Sequence, residues 1–211
     1  MTDFEKEFFL KRDLAVLAAL HRSTVGIAGA GGLGSNVAAA LARAGVGKLI
    51  VADFDVLEVP DLNRQYYFVD QVGRSKVEAL RENLRRMNPF SDYEMHNVKV
   101  DAGNVERIFG AADLLIEAFD LADQKQMLID AWLALRPGRP IIAASGLAGF
   151  GGNARLRQRK LGSLYICGDE MSECDACTAP MAPRVAVVAA MQANLAVELL
   201  VKRHAVDAGS G

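Results

Sequence analysis

The sequence predicts an α/β protein whose sheet is doubly wound and mostly parallel, continued by antiparallel strands. Three observations predict it. Short apolar runs at residues 25–28, 48–52, 114–119 and 140–144 alternate with helical stretches, the rhythm of parallel strands joined by right-handed crossovers. The first run breaks at Gly29-Ala30-Gly31-Gly32-Leu33-Gly34 and a helical stretch follows at once. Two of the later runs close on an aspartate, Asp53 and Asp120. Together these make the fold Rossmann-like, with a helical lead-in over residues 1–22, one nucleotide-binding domain over residues 23–206 and a disordered tail at 207–211.

Composition bounds the rest. A chain of 211 residues is one ordinary domain with room for a full core. A net charge of -2 gives no bulk positive field, so neither nucleic acid nor an anionic membrane is expected as a partner. Residues 1–6 lack the basic start and apolar core of a signal peptide, and the longest apolar stretch, 185–201, is interrupted by Gln192, Asn194 and Glu198. Three cysteines, an odd number, do not suggest a disulfide framework, and a cytoplasmic setting is expected.

Taken in order, residues 3–22 read as a helical lead-in, because Phe4, Phe8, Leu10, Leu14 and Leu17 fall near helical spacing. That stripe must bury itself on the main domain or on a second subunit. Arg12 sits among these apolar residues and, by composition, reads as a solvated arginine. Residues 25–28 form the first buried strand. Gly29, Gly31 and Gly34 then fit G-x-G-x-x-G: a tight turn, a backbone close to phosphate, and a helix packed close on its strand. The free N–H groups and dipole of the following helix favour an anion. Alone the motif is weak. Its context strengthens it, since the strand at 48–52 ends at Asp53, where an acid that grips ribose hydroxyls belongs. The glycines do not say which nucleotide.

Residues 53–60 are too polar to continue the sheet. A helix is predicted over 77–87, stopped by Asn88-Pro89, then a strand over 93–100 and a helical turn over 105–109. The strand at 114–119 is followed by a helix at 124–135 and a buried strand at 140–144. Residues 153–159 and 163–167 read as a hairpin, so the sheet continues antiparallel. Arg155, Arg157 and Arg159 would share one face, either solvated or open to an acidic partner. The loop 168–182 carries Cys174 and Cys177, and Pro183 opens a last helix to about Arg203.

Ligands of an open α/β sheet bind beyond the carboxyl ends of the strands. Asp53 and Asp120 belong on that rim. Two carboxylates beside a polyphosphate need a cation, and Mg²⁺ takes such carboxylates together with phosphate oxygens. Each aspartate could instead cap the helix after it. Arg64 and Lys76 stand in segments with little apolar content, so packing does not account for them. They are either phosphate ligands or surface charges. His21, His96 and His204 show no ligand spacing.

Several motifs in sequence carry a resemblance. Gly29 to Ser35, then 44–47, Asp53-Phe54-Asp55, Leu62-Asn63-Arg64-Gln65, 72–76 and Asn88-Pro89 resemble the ubiquitin-activating-enzyme-like superfamily, and within it the ThiF family in its short bacterial form. The end of the chain, residues 181–185 and 190–194, is similar to the same short form, so the resemblance spans about residues 24–203. It implies an ATP-dependent adenylyltransferase that uses Mg²⁺. Its substrate would be the C-terminal glycine carboxylate of a small ubiquitin-like sulfur carrier in thiamine thiazole biosynthesis. By the same resemblance Gly29, Gly31, Gly32 and Gly34 hold the nucleotide with Asp53 and Asp55, Arg64 and Lys76 neutralise the triphosphate, and Asp120 holds Mg²⁺. Arg12 would reach across a homodimer. The carrier of molybdopterin synthase or another carboxylate, such as a modified tRNA base, is the alternative substrate. A nicotinamide-dependent dehydrogenase and a non-catalytic carrier-binding module are alternatives of other classes.

Two departures stand out. Asp61 replaces a frequent asparagine, and Leu121 follows Asp120 where asparagine is usual. Zinc-bearing relatives use two C-x-x-C pairs. This sequence has one pair plus Cys167, so zinc is not expected for want of a fourth thiolate. Cys174 or Cys177 would then either handle sulfur, as the resemblance implies, or be an unspecialised loop cysteine.

Overall fold

The computed structural model describes residues 2–173 and 178–209, with side chains to 205. Cys174 and Cys177 therefore lie outside the described residues. The elements in order are α1 (Asp3–Phe8), α2 (Leu14–His21), β1 (Thr24–Ala28), α3 (Gly32–Ala44), β2 (Lys48–Ala52), α4 (Lys76–Met87), β3 (Asp92–His96), α5 (Val105–Phe109), β4 (Leu114–Glu117), α6 (Ala122–Leu135), β5 (Ile141–Ala144), β6 (Arg157–Leu161), β7 (Leu164–Gly168) and α7 (Ala182–Gly209). Short 3₁₀ turns lie at Val59–Asn63, Val69–Gln71 and Asn153–Arg155.

The strands lie in the order β3-β2-β1-β4-β5-β7-β6, parallel except for the antiparallel β6–β7 pair. β4 and β5 are buried along their whole length, and β1 and β2 from their second residue on, because helices cover both faces. One layer packs α3, α4 and α7 on the sheet, around Val37, Leu41, Leu80, Val188 and Ala196. The other packs α5 and α6, around Phe109, Leu128 and Trp132. The edge strand β6 is exposed at all five residues, and its charges discourage pairing with another chain. β1 runs between β2 and β4, so the strand order reverses there and opens a crevice at the carboxyl ends.

Several sequence expectations need correction. The lead-in is two helices, because Lys11 takes a positive φ of 69° and Asp13 starts α2 by accepting the N–H groups of Ala15 (2.9 Å) and Val16 (3.0 Å). β3 ends at His96 rather than at residue 100. Arg155 falls in a 3₁₀ turn and does not join the strand face, while Arg157 and Arg159 both pair with Glu170. That acid partly neutralises the face.

Helix α7 also differs. Its stretch Ala182–Ala205 is long and apolar enough to cross a membrane by length and composition, despite its polar interruptions. Val185, Val188, Ala189, Gln192, Ala193, Ala196 and Leu200 recur at helical spacing and are buried against the domain, as in a core helix. Gln192 is tolerated because its Nε2 donates to the carbonyls of Glu117 (3.3 Å) and Ile142 (3.2 Å). The helix runs past Arg203 to Gly209, into the stretch read as a tail; each added residue gains a backbone bond for little further ordering.

The start of α7 is fixed by a buried ion pair. Arg184 Nη2 lies 2.6 Å from Asp169 Oδ2, with the two side chains 2% and 1% exposed. Asp169 Oδ1 also accepts the N–H groups of Met171 (2.9 Å) and Ser172 (2.8 Å). Burial opposes the charge, yet donors from Ser172, Met171 and Arg184 bring the Asp169 carboxyl down to about 2 from an ordinary 3.8. A depressed folded pKa contributes stability that is complete above the unfolded value and is lost as pH falls through the folded one. At about 1.4 kcal/mol per pKa unit, this amounts to about 2 kcal/mol, fading between about pH 4 and about pH 2. Asp169→Asn is expected to lose about 3–5 kcal/mol at neutral pH, since it leaves Arg184 buried without its counter-charge. Urea unfolding at neutral and acid pH checks this, and the variant should show a flatter decline in that acid window.

Candidate functional site

The crevice is built around the turn between β1 and α3. Gly29 has a φ of +98°, and a side chain there would meet the Ala118 carbonyl oxygen at 2.8 Å. A side chain on Gly34 would sit 1.9 Å from the Gly29 carbonyl oxygen, so only glycine lets α3 start this close to its strand. Gly31 is different. Nothing lies closer to its missing side chain than Gln65 Nε2 at 3.9 Å. Gly31 is the N-cap of α3 and no side chain caps the helix, which leaves its first N–H groups open to a ligand.

Three residues that sequence reasoning passed over hold this turn. The buried Tyr67 hydroxyl donates to the Ala30 carbonyl (2.7 Å). Ser35 Oγ donates to the Gly31 carbonyl (2.6 Å) and accepts the Tyr66 N–H (2.9 Å). Asn36 Nδ2 donates to the carbonyls of Gly32 (2.7 Å) and Arg64 (3.0 Å). The available signal was the polar run 63–67 beside a glycine motif, since a buried tyrosine hydroxyl needs a partner.

Asp53 closes one side. Its Oδ2 accepts the Ala30 N–H (2.6 Å) and its Oδ1 the Asp55 N–H (2.8 Å). Burial pushes its pKa up, while those two N–H groups pull the other way. Lys76 is not a surface charge: its side chain is 8% exposed, and Nζ lies 3.0 Å from Asp55 Oδ2 and 3.6 Å from Asp61 Oδ2. Burial works against its charge, but Asp55, Asp53 and Asp61 together raise its pKa above the ordinary value. Asp55 is thus turned onto Lys76. Arg64 lies against the turn, with Cγ 3.3 Å from where a Gly32 side chain would begin, and Nη1 donates to Asn63 Oδ1 (2.9 Å).

Asp120 follows β4, the neighbour of β1 on the opposite side from β2. It is exposed, and it does not cap α6: Leu121 is the N-cap and no side chain bonds there. The turn bearing Asp120 is held from beneath by wholly buried Glu117, which accepts the Phe119 N–H (2.7 Å) and pairs with Lys125 Nζ at 3.0 and 2.9 Å. Burial raises the Glu117 pKa against the opposing pull of Lys125. Among the described residues no three His, Cys, Asp or Glu side chains gather as a metal cluster. One open carboxylate such as Asp120 still fits Mg²⁺, which completes its shell with phosphate oxygens and water.

Arg12 is not brought to this site within the chain, nor is it a free solvated arginine. Its Nη1 donates to the Phe8 carbonyl (2.6 Å), its Nη2 to the Arg43 carbonyl (2.9 Å), and its guanidinium lies 4.9 Å from the Phe9 ring centre. Arg43 is eleven residues along α3 from Gly32, about 16 Å away at 1.5 Å per residue. Cys167 is buried in β7, where burial pushes its thiol up to about 11, out of the reactive range.

Comparison with known proteins gives the family and bears out the fold. The ThiF family model matches residues 7–209. Ubiquitin-like modifier-activating enzyme 5 of Caenorhabditis elegans is 44% identical over 81 residues, 38% of this chain and 19% of that protein. Adenylyltransferase and sulfurtransferase MOCS3 of Caenorhabditis briggsae is 36% identical over 129 residues, 61% of this chain and 32% of that protein. The chain thus spans between about a fifth and a third of the length of the curated relatives it matches. Among solved structures, E. coli tRNA N6-threonylcarbamoyladenosine dehydratase, TcdA, in complex with ATP superposes with a TM-score of 0.87 at 20% identity, covering 97% of this chain and 98% of that one. E. coli MccB with MccA gives 0.69 at 23% identity, covering 89% and 58%.

The two kinds of glycine can be separated by substitution. Gly34→Ala forces a methyl into a carbonyl oxygen and is expected to destabilise by about 3 kcal/mol or more. Gly31→Ala has room and should melt within a few degrees of the unaltered chain, so any lost ligand affinity there reports the missing close approach of backbone to phosphate. Thermal melting of both variants checks the contrast; equal melting temperatures would contradict it.

Proposed function

The chain belongs to the ThiF family, and from that premise we propose that it transfers the adenylyl group of ATP to a carboxylate. The substrate is the C-terminal glycine carboxylate of a small ubiquitin-like sulfur carrier, with thiamine thiazole synthesis as the destination that the short ThiF form suggests. The observations that support this reading are Arg64 lying against the glycine turn, Lys76 enclosed by Asp55 and Asp61 after β2, and Asp120 free of any capping role at the end of β4. A nicotinamide dehydrogenase would share the glycines and Asp53 but has no need of that set. The names of the matched relatives, a ubiquitin-like modifier-activating enzyme and an adenylyltransferase and sulfurtransferase, support a ubiquitin-like carrier and its link to sulfur.

In this reading the glycine turn and the first N–H groups of α3 hold phosphate, and Asp53 accepts the ribose hydroxyls. Arg64 and Lys76 draw negative charge off the β- and γ-phosphates, so that the carboxylate attacks the α-phosphorus and pyrophosphate leaves. Mg²⁺, when bound by Asp120, supplies charge neutralisation at the transferring phosphate. Protein groups act by position and electrostatics, and none becomes covalently attached. The active form is a homodimer, in which the exposed Phe4, Leu10 and Leu14 of the lead-in are covered by a second copy.

Asp120→Asn preserves shape and removes charge. Since Asp120 caps nothing, its melting temperature should hold, while carrier-dependent ATP–pyrophosphate exchange should fall on the order of 100- to 1,000-fold. Exchange at the unaltered rate would remove Asp120 from the mechanism. Preferential binding of NADH over ATP–Mg²⁺ by the unaltered chain would instead support the dehydrogenase reading.

A further inference from the structure

Lys76 is the cation of this site most enclosed by acid, and the two acids that touch it differ in freedom. Asp55 is 47% exposed and can swing off the lysine into water. Asp61 is 16% exposed and held at both oxygens: Oδ1 accepts Gln65 Nε2 (2.6 Å) and Oδ2 accepts the Glu58 N–H (3.0 Å). It lies within the 3₁₀ turn Val59–Asn63, 3.6 Å from Nζ, and those bonds brace it there, where Asp55 has no such brace on its carboxylate among the described residues. Asp53, Asp55 and Asp61 give three negative charges against two positive from Arg64 and Lys76, a local balance of -1 before any phosphate arrives. Asparagine at 61 would bring that balance to zero. Position 61 is also one of the two where this sequence departs from the pattern it resembles.

We propose that Asp61 weakens the grip of the site on polyphosphate, by keeping part of the Lys76 charge for itself and repelling the terminal phosphates, and so speeds pyrophosphate release. This rests on the nucleotide reading above. The effect belongs to the β- and γ-phosphate end alone. The ribose end is held by Asp53, so AMP should not feel the substitution. Removing the charge should therefore tighten pyrophosphate and ATP together and leave AMP as it is.

The measurement is isothermal titration calorimetry of the full chain with sodium pyrophosphate, ATP and AMP, each without metal and at fixed ionic strength. Asp61→Asn should bind pyrophosphate and ATP on the order of tenfold more tightly, which is about 1.4 kcal/mol, with AMP unchanged. A purely structural role predicts the opposite sign, because asparagine keeps one accepting oxygen where Asp61 uses two, so one of the bonds from Gln65 and Glu58 is lost, and a loosened turn binds phosphate more weakly. If Asp61→Asn does not fold, Asp61→Ser carries the same expectation, its hydroxyl still able to accept the Glu58 N–H. In a Lys76→Met background the gain should shrink, since the competition acts through that lysine. Unchanged or weaker binding of pyrophosphate in the folded variant overturns the proposal while leaving the nucleotide site standing. An unaltered chain that binds neither ATP nor pyrophosphate overturns both.

Discussion

The close approach of Gly34 to the Gly29 carbonyl is the constraint on which the site depends. A side chain on Gly34 would begin 1.9 Å from that oxygen, so the start of α3 is pressed onto the end of β1. On the β2 side of the crevice, several groups that could touch a ligand are placed by reference to this contact. Asp53 reaches back from β2 to the Ala30 N–H, Tyr67 braces the Ala30 carbonyl, and Asn36 carries Arg64 against Gly32. The start of α7 meets the same turn, since Val185 Cγ1 lies 3.3 Å from where a Gly32 side chain would begin. One backbone contact thus brings together strand ends, the segment 58–67 and a helix more than a hundred residues away.

Around that contact the loops are pinned by enclosed ion pairs. Lys76 holds the segment after β2 through Asp61, Lys125 and Glu117 hold the turn after β4, and Arg184 and Asp169 hold the segment after β7. Such pairs are poor sources of net stability, because desolvation offsets much of their attraction. What they supply is a single geometry: breaking one leaves an enclosed charge, so alternative loop positions are strongly disfavoured. A site that acts by positioning and electrostatics needs that fixity more than it needs extra stability.

Much of this was legible in the sequence because the sheet imposes it. The continuous apolar runs at 25–28, 48–52 and 141–144 admit little but buried parallel strands, and Gly29, Gly31 and Gly34 mark the turn between the first of them and its helix. What stayed open or failed shares one cause, which is that a polar residue does not announce its partner. Lys76 stood open between phosphate ligand and surface charge, because its neighbours in sequence are polar and its partners lie 15 and 21 residues away. Asp120 stood open between metal ligand and cap because a helix follows, and that helix begins uncapped. Arg12 read as solvated, and its bonds to two carbonyls, one of them 31 residues on at Arg43, could not be inferred from local pattern. The lead-in is helical as read, and its division into two helices was the more legible part, as Asp13 is a local capping signal strong enough to restart the helix.

Helix α7 shows how composition and position trade places. Its apolar stretch Ala182–Ala205 would suit a bilayer, and only packing decides otherwise. In this fold it crosses one face of the sheet against α3 and must be apolar wherever it touches β4, β5 and β7. The lone buried amide, Gln192, stands where its nitrogen reaches two strand carbonyls, one of them that of Glu117. Glu117 is the residue whose carboxylate fixes the turn carrying Asp120. A polar interruption that weakens the membrane reading is therefore also a link between the core helix and the rim of the site: Gln192 holds the backbone of β4, and β4 sets where Asp120 can stand.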